Sequence, residues 1–300
     1  MSNVIIHRYI TNCMTVTLPP GLADFLKGTI YLYQESVRGP EPYTLVVDFS
    51  QHPMGPFIQP QITDGPLLPY VSKSMISVTE CFNYARPIIR DLVQKLQQPT
   101  GPPGEPTIYY TICHEPYTDF DSNAPDVLPT ATQQFMRGIL RFQDELVEAA
   151  QEVKKRLGLH EAPYAVLHLR MGDGNTPDGH AELPRMGEVE KYLEETLIPR
   201  WGKRILVLSD SHWSKQYLCD KYGLKMTPFY PIHMGAVRSF ADRQNLAGPV
   251  DIANTLIEFI LMSGSQCVYI YSIYGWNSGF SKVCCHIYGI PYVSIAQKSS

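Results

Sequence analysis

No apolar run in this 300-residue chain approaches the roughly 20 residues that cross a bilayer, so no transmembrane segment is expected. The opening stretch, Met1 to Ile10, lacks the ordered basic, apolar and cleavage regions of a signal peptide and reads as a first strand. Basic residues are not in excess: 25 Lys and Arg against 29 Asp and Glu give a net charge of -4, with no Lys/Arg cluster. That balance excludes an electrostatic footprint for nucleic acid or an anionic membrane. The seven cysteines contain no Cys-x-x-Cys pair, so neither a zinc nor a redox motif is supported. Their odd number, with Cys113 and Cys267 in apolar runs, suits reduced, buried thiols in a cytosol-like compartment. There is no repeat of solenoid period and no long low-complexity segment.

What is present is an ordinary globular composition, 44% hydrophobic and 18% charged, over a length sufficient for two domains. Apolar strand-like runs alternate with helical patterns. In the first half the expected order is strand Val4–Ile10, helix Leu22–Val37, strand Tyr43–Phe49, a weaker helix Asn83–Gln97, and strand Thr107–Cys113. Phe135, Ile139, Phe142, Leu146, Val153 and Leu157 then follow helical spacing, and Gly158 stops that helix. The boundary is expected there, giving domains 1–159 and 160–300. The second half reads as strand Tyr164–Leu169, helix Gly187–Ile198, strand Arg204–Leu208, helix His212–Tyr222, helix Asp251–Met262, strand Cys267–Tyr271, helix Gly279–Tyr288 and strand Pro291–Ile295. Such alternation predicts an α/β fold of parallel sheets covered on both faces, arranged as two Rossmann-like domains facing a cleft.

The chemistry-bearing residues gather at strand ends of the second half. The first strand runs into His168-x-Arg170-x-Gly172-Asp173, and the carboxyl end of a strand is where α/β proteins bind ligands. An always-charged guanidinium there suits a phosphate oxygen. Next come Ser209-Asp210-Ser211, then Glu258 and Ser263 in an otherwise apolar helix. Last is Asn277-Ser278-Gly279-Phe280-Ser281 at a helix start, where free N–H groups and the helix dipole favour an anion.

In this order the set resembles the donor domain of the fucosyltransferase superfamily, over roughly Tyr164 to Ile295. The resemblance implies a GT-B-type, inverting, metal-independent glycosyltransferase using GDP-fucose, with a glycan or glycoconjugate as acceptor. It implies a donor domain at 160–300 and an acceptor-side domain at 1–159. Arg170 would hold the β-phosphate, His168 would hydrogen-bond the nucleotide, and Glu258, where the family has Asp, would accept from guanine N1–H and N2–H. Ser278, Gly279, Phe280 and Ser281 would wrap the pyrophosphate. Gly21, in Gly21-Leu-Ala-Asp24, stands where the family has a glycine-rich loop facing the donor phosphates. Asp178 follows His168 by ten residues, the offset of a catalytic Glu in the α-1,6 branch, and Asp24 is its rival as general base. Asp251 is expected as a helix cap, and His52 remains a loop histidine at a strand end. Eukaryotic members carry an N-terminal anchor that this chain lacks, so a cytoplasmic bacterial or viral-type enzyme, or a form trimmed of its anchor, is expected.

Two other readings stay open. Asp119-Phe-Asp121 could chelate a cation across a diphosphate, which would make the protein a metal-dependent glycosyltransferase using another nucleotide sugar. Alternatively, the altered loop at Gly21 would fit a catalytically inactive nucleotide- or glycan-binding module.

Overall fold

The structure is a computed structural model. It describes residues 4–8, 22–38, 44–49, 54–59, 76–77, 108–111, 128–171, 183–230, 248–274 and 277–295. The described chain divides into two compact units. One comprises residues 1–120 with 129–141, and the other residues 121–128 with 142–300.

The first unit holds a four-stranded sheet made of β1 (Val4–Arg8), β2 (Thr44–Asp48), β3 (Ile76–Ser77) and β4 (Ile108–Thr111). Its order is β2-β1-β4-β3, with every pairing parallel. Helix α1 (Leu22–Arg38) buries Leu22, Phe25, Leu26 and Ile30, the heptad-like stripe that its sequence displays. Phe25 stacks on His7 of β1 at 4.2 Å and meets Phe49 edge-on at 5.5 Å. The strand, helix, strand order expected at the start of this half, and its later strand at Ile108–Thr111, are therefore present. The expected helix over 83–97 lies outside the described residues.

The single long helix expected between Phe135 and Leu157 is two helices, α2 (Thr130–Ile139) and α3 (Asp144–Arg156). Leu140 leaves helical geometry at ψ 44° and Gln143 is extended at ψ 145°. The break follows from different tertiary partners. Phe135 stacks on Tyr33 at 4.0 Å, whereas Phe142 packs against Phe259 at 6.3 Å, and the Arg141 carbonyl accepts from the Gln59 N–H at 2.7 Å. The division thus falls near Arg141 rather than at Leu159, because α3 packs on a helix of the second unit, α7 below.

The second unit is a five-stranded, wholly parallel sheet of order β7-β6-β5-β8-β9. Its strands are β5 (Ala165–Arg170), β6 (Ile205–Ser209), β7 (Lys225–Met226), β8 (Cys267–Ser272) and β9 (Tyr292–Ile295). Its helices are α4 (Leu183–Tyr192), continued by a π turn at Leu193–Leu197 into the short α5 (Ile198–Trp201), then α6 (His212–Tyr222), α7 (Pro249–Ser263) and α8 (Gly279–Tyr288). β6 and β8 are buried throughout, as their unbroken apolar runs require in a sheet covered on both faces. Ser211 caps α6 by accepting from the Ser214 N–H at 3.2 Å, and Gly223 ends the helix at φ 66°, a left-handed turn that disfavours residues with a Cβ. The chain moves outward from β5 to β6 and β7, then returns to the other flank of β5 for β8 and β9. That reversal is the topological switch point of an open α/β sheet, where a crevice forms beyond the strand ends.

Candidate functional site

The register puts the ends of three strands side by side. Leu169 of β5 pairs with Ser209 of β6, and Arg170 pairs with Ser272 of β8. Ala165, Leu167 and Leu169 point into the core that α4 and α5 cover, so His168 and Arg170 share the opposite face. Arg170 reaches further out, with its side chain 16% exposed, whereas His168 is buried.

The Arg170 guanidinium forms an ion pair with Asp210, whose other carboxylate oxygen accepts from the Met171 N–H at 2.7 Å. The guanidinium carbon lies 5.6 Å from the centre of the Tyr274 ring. Ser209 and Ser211 shape the turn that delivers Asp210: the Ser211 N–H donates to Ser209 Oγ at 3.0 Å. Asp210 is therefore the orienting partner of Arg170.

His168 Nδ1 and Ser281 Oγ are 2.5 Å apart, which ties β5 to the first turn of α8. Burial, and then the neighbouring Arg170 charge, push the His168 pKa down to about 3, so the ring is neutral at physiological pH. Its Nε2 bonds to none of the described residues, and its tautomer follows from the direction of the Ser281 bond. Phe280 lies 6.0 Å from the His168 ring and meets Phe259 edge-on at 5.2 Å, which fixes α8 against α7. Ser278 and Ser281 are buried, and the main-chain N–H groups of this turn lie at the positive end of the helix dipole. Asn277 anchors the approach to α8 through Nδ2 to Ser294 Oγ at 2.6 Å.

Glu258 is no surface residue. It is 4% exposed and bonds to Lys215 and Thr227. Burial raises its pKa, against the lowering pull of the Lys215 charge. Lys215 is fully buried, and composition gave no warning of it, since a helical lysine ordinarily reads as solvated. The available signal was periodicity: residue 215 precedes the buried Leu218 and Cys219 by three and four positions, which places it on their face. Asp251 accepts from the Gly248 N–H at 3.0 Å, so it closes the start of α7 from the third helical position.

His168, Arg170, Phe280 and Ser281 thus gather around the ends of β5 and β8. Gly21, His52, Asp119, Asp121, Asp173 and Asp178 lie outside the described residues, and Asp24 is described only as part of α1. The described cysteines, Cys219, Cys267, Cys284 and Cys285, are free and buried. Among the described residues no helix is long and apolar enough to cross a membrane.

By sequence the chain matches no family profile and no curated protein. By structure it is similar to fucosyltransferase NodZ from Bradyrhizobium, with TM-score 0.55 and 15% identity, covering 95% of this chain and 92% of that one. It is similar also to NodZ α-1,6-fucosyltransferase co-crystallised with GDP, with TM-score 0.56, 15% identity and coverage of 95% and 92%. A variant of FUT1 from Arabidopsis thaliana in complex with GDP gives TM-score 0.58 and 12% identity, covering 98% of this chain and 70% of that one. At these identities the likeness is one of architecture: the chain has a fucosyltransferase-like fold.

Proposed function

We propose that the protein is an inverting glycosyltransferase that moves fucose from GDP-fucose to a hydroxyl of a glycan or glycoconjugate. The observation that carries this reading is Arg170, held by Asp210 at the switch point of the second sheet, in a fold shared with fucosyltransferases solved with GDP. In the reaction the acceptor oxygen forms a bond to the anomeric carbon as the bond from that carbon to the β-phosphate oxygen breaks. GDP leaves, and the acceptor proton passes to a carboxylate, with Asp178 and Asp24 as the two candidates.

Negative charge grows on the β-phosphate as that bond breaks. A guanidinium has donors on more than one edge, so it can keep Asp210 on one side and take a phosphate oxygen on another. Preorganised charge of this kind is the largest single contribution such a site can make. The first turn of α8, from Ser278 to Ser281, would take the remaining pyrophosphate oxygens through its main-chain N–H groups. Neutral His168 would hydrogen-bond the nucleotide through Nε2, and Glu258 would face its base. The second unit is thereby the donor side and the first the acceptor side.

The test is a panel of nucleotides and nucleotide sugars. GDP and GDP-fucose should stabilise the protein, by about 2.7 kcal/mol at 100-fold over Kd, and GDP-fucose should be slowly hydrolysed. UDP and CMP should do neither. A shift with UDP as large as that with GDP would end the assignment. Binding of GDP without transfer to any acceptor or to water would instead identify a nucleotide-binding module.

A further inference from the structure

Lys215, Thr227 and Glu258 form a closed cluster that joins α6, the end of β7 and α7. An ammonium group has three N–H donors. Lys215 spends all of them, on Thr227 Oγ1 at 3.2 Å, the Phe229 carbonyl at 2.7 Å and Glu258 Oε1 at 3.4 Å. The Thr227 hydroxyl, accepting from Lys215, donates onward to the same Glu258 Oε1. Both bonds to the carboxylate therefore converge on one oxygen, whose two lone-pair sites they fill. Oε2 is bonded by none of the described residues.

This arrangement bears on how the carboxylate could read a base. To distinguish guanine fully, a carboxylate accepts from N1–H with one oxygen and from the 2-amino group with the other. Hypoxanthine keeps the N1–H and lacks the amino group. We infer that Lys215 and Thr227 saturate Oε1, so that Glu258 reads a 6-oxopurine through Oε2 alone, accepting from N1–H and treating guanine and hypoxanthine alike. Lys215 is in this account a positioning residue that fixes which oxygen is presented. The inference rests on the donor reading above, in which Glu258 faces the base of a nucleoside diphosphate.

The experiment compares Kd values of GDP, IDP and N1-methyl-GDP for the whole protein by calorimetry, together with the Thr227→Val variant. GDP and IDP should bind within about threefold of each other, and N1-methyl-GDP about tenfold or more weaker, the scale of one lost hydrogen bond to a charged group. Thr227→Val keeps Lys215 and frees a site on Oε1, so GDP should gain on IDP by several-fold. A wild-type preference for GDP over IDP above about tenfold would overturn the inference and leave the donor reading intact. So would equal binding of all three, which would show that the carboxylate does not read the base. An unchanged GDP to IDP ratio in a folded Thr227→Val protein overturns the saturation of Oε1. Failure of every one of these nucleotides to bind overturns the donor reading itself. If Thr227→Val does not fold, the wild-type comparison decides alone.

Discussion

The carboxylate of Asp210 holds Arg170 by ion pairing through one oxygen and, through the other, the main-chain N–H of Met171, the residue that follows Arg170 in the chain. Both ends of the Arg170 residue are thus fixed by a single side chain on the neighbouring strand end. Arg170→Ala should lower transfer on the order of 100-fold or more, as expected for a stabiliser of transition-state charge. It should also cost about 1–3 kcal/mol of stability, because Asp210 loses its cation in a mostly buried site. The double variant Arg170→Ala, Asp210→Ala should regain part of that stability without regaining activity. Denaturant melts beside saturating-donor kinetics make the comparison. Near-normal turnover in Arg170→Ala would remove the residue from the mechanism.

Arg170→Lys tests whether charge alone suffices. An ammonium carries the same charge but cannot grip a carboxylate and a phosphate from one planar frame. We expect stability close to wild type and turnover nearer to that of Arg170→Ala. Recovery to within about twofold of wild type would show that a point charge is enough and that the fork geometry is idle.

How much of this was readable in advance varied with what governs each feature. β5, β6 and β8 declared themselves because a strand buried on both faces is apolar through its interior, and Ala165–Leu167, Ile205–Leu208 and Val268–Tyr271 are. Helices α6 and α8 were legible to the residue, since Ser211, Gly223 and Gly289 carry their caps in the sequence. The break between α2 and α3 was not, because Leu140-Arg-Phe-Gln143 is compatible with a helix and only the partners of Phe135 and Phe142 pull it apart. β3 and β7, two residues each, are too short to show a period. In the site, Arg170 and His168 were legible from their strand-end position. Lys215 was legible only as a position on the buried face of α6; its bonds to Thr227 and Glu258, like the pairing of Asp210, were not, since long-range partners leave no local pattern.

His168 predicts a particular acid sensitivity. Its folded pKa, about 3, lies below the ordinary value of 6.5, so the unfolded chain takes up a proton that the folded one refuses. Above pH 6.5 the residue adds no pH dependence. As pH falls below that value, stability should drop by up to about 1.4 kcal/mol per pH unit, until the folded ring itself protonates. In His168→Gln the difference in stability from wild type should therefore shrink between pH 7 and pH 4 in urea melts. Parallel curves over that range would mean that His168 is not held neutral, and the Ser281 contact would need another account.

Transfer should survive chelation of divalent cations. A metal-dependent transferase uses its cation to neutralise the departing diphosphate. Here Arg170 lies at the end of β5, and the main-chain N–H groups of the first turn of α8 follow the neighbouring β8. In the proposed reaction they would together supply positive potential to the same anion. The rival is Asp119-Phe-Asp121, the only Asp-x-Asp in the sequence, and its chelating role is separable by assay. Fucose transfer would be followed in excess EDTA, with and without added manganese, for wild type and for the double variant Asp119→Ala, Asp121→Ala. We expect turnover within about twofold in every arm, since neither carboxylate then touches the diphosphate, and a twofold change is only about 0.4 kcal/mol of barrier. Loss of transfer in EDTA, rescue by manganese and inactivity of the double variant would together replace Arg170 with a metal as the agent that stabilises the leaving group.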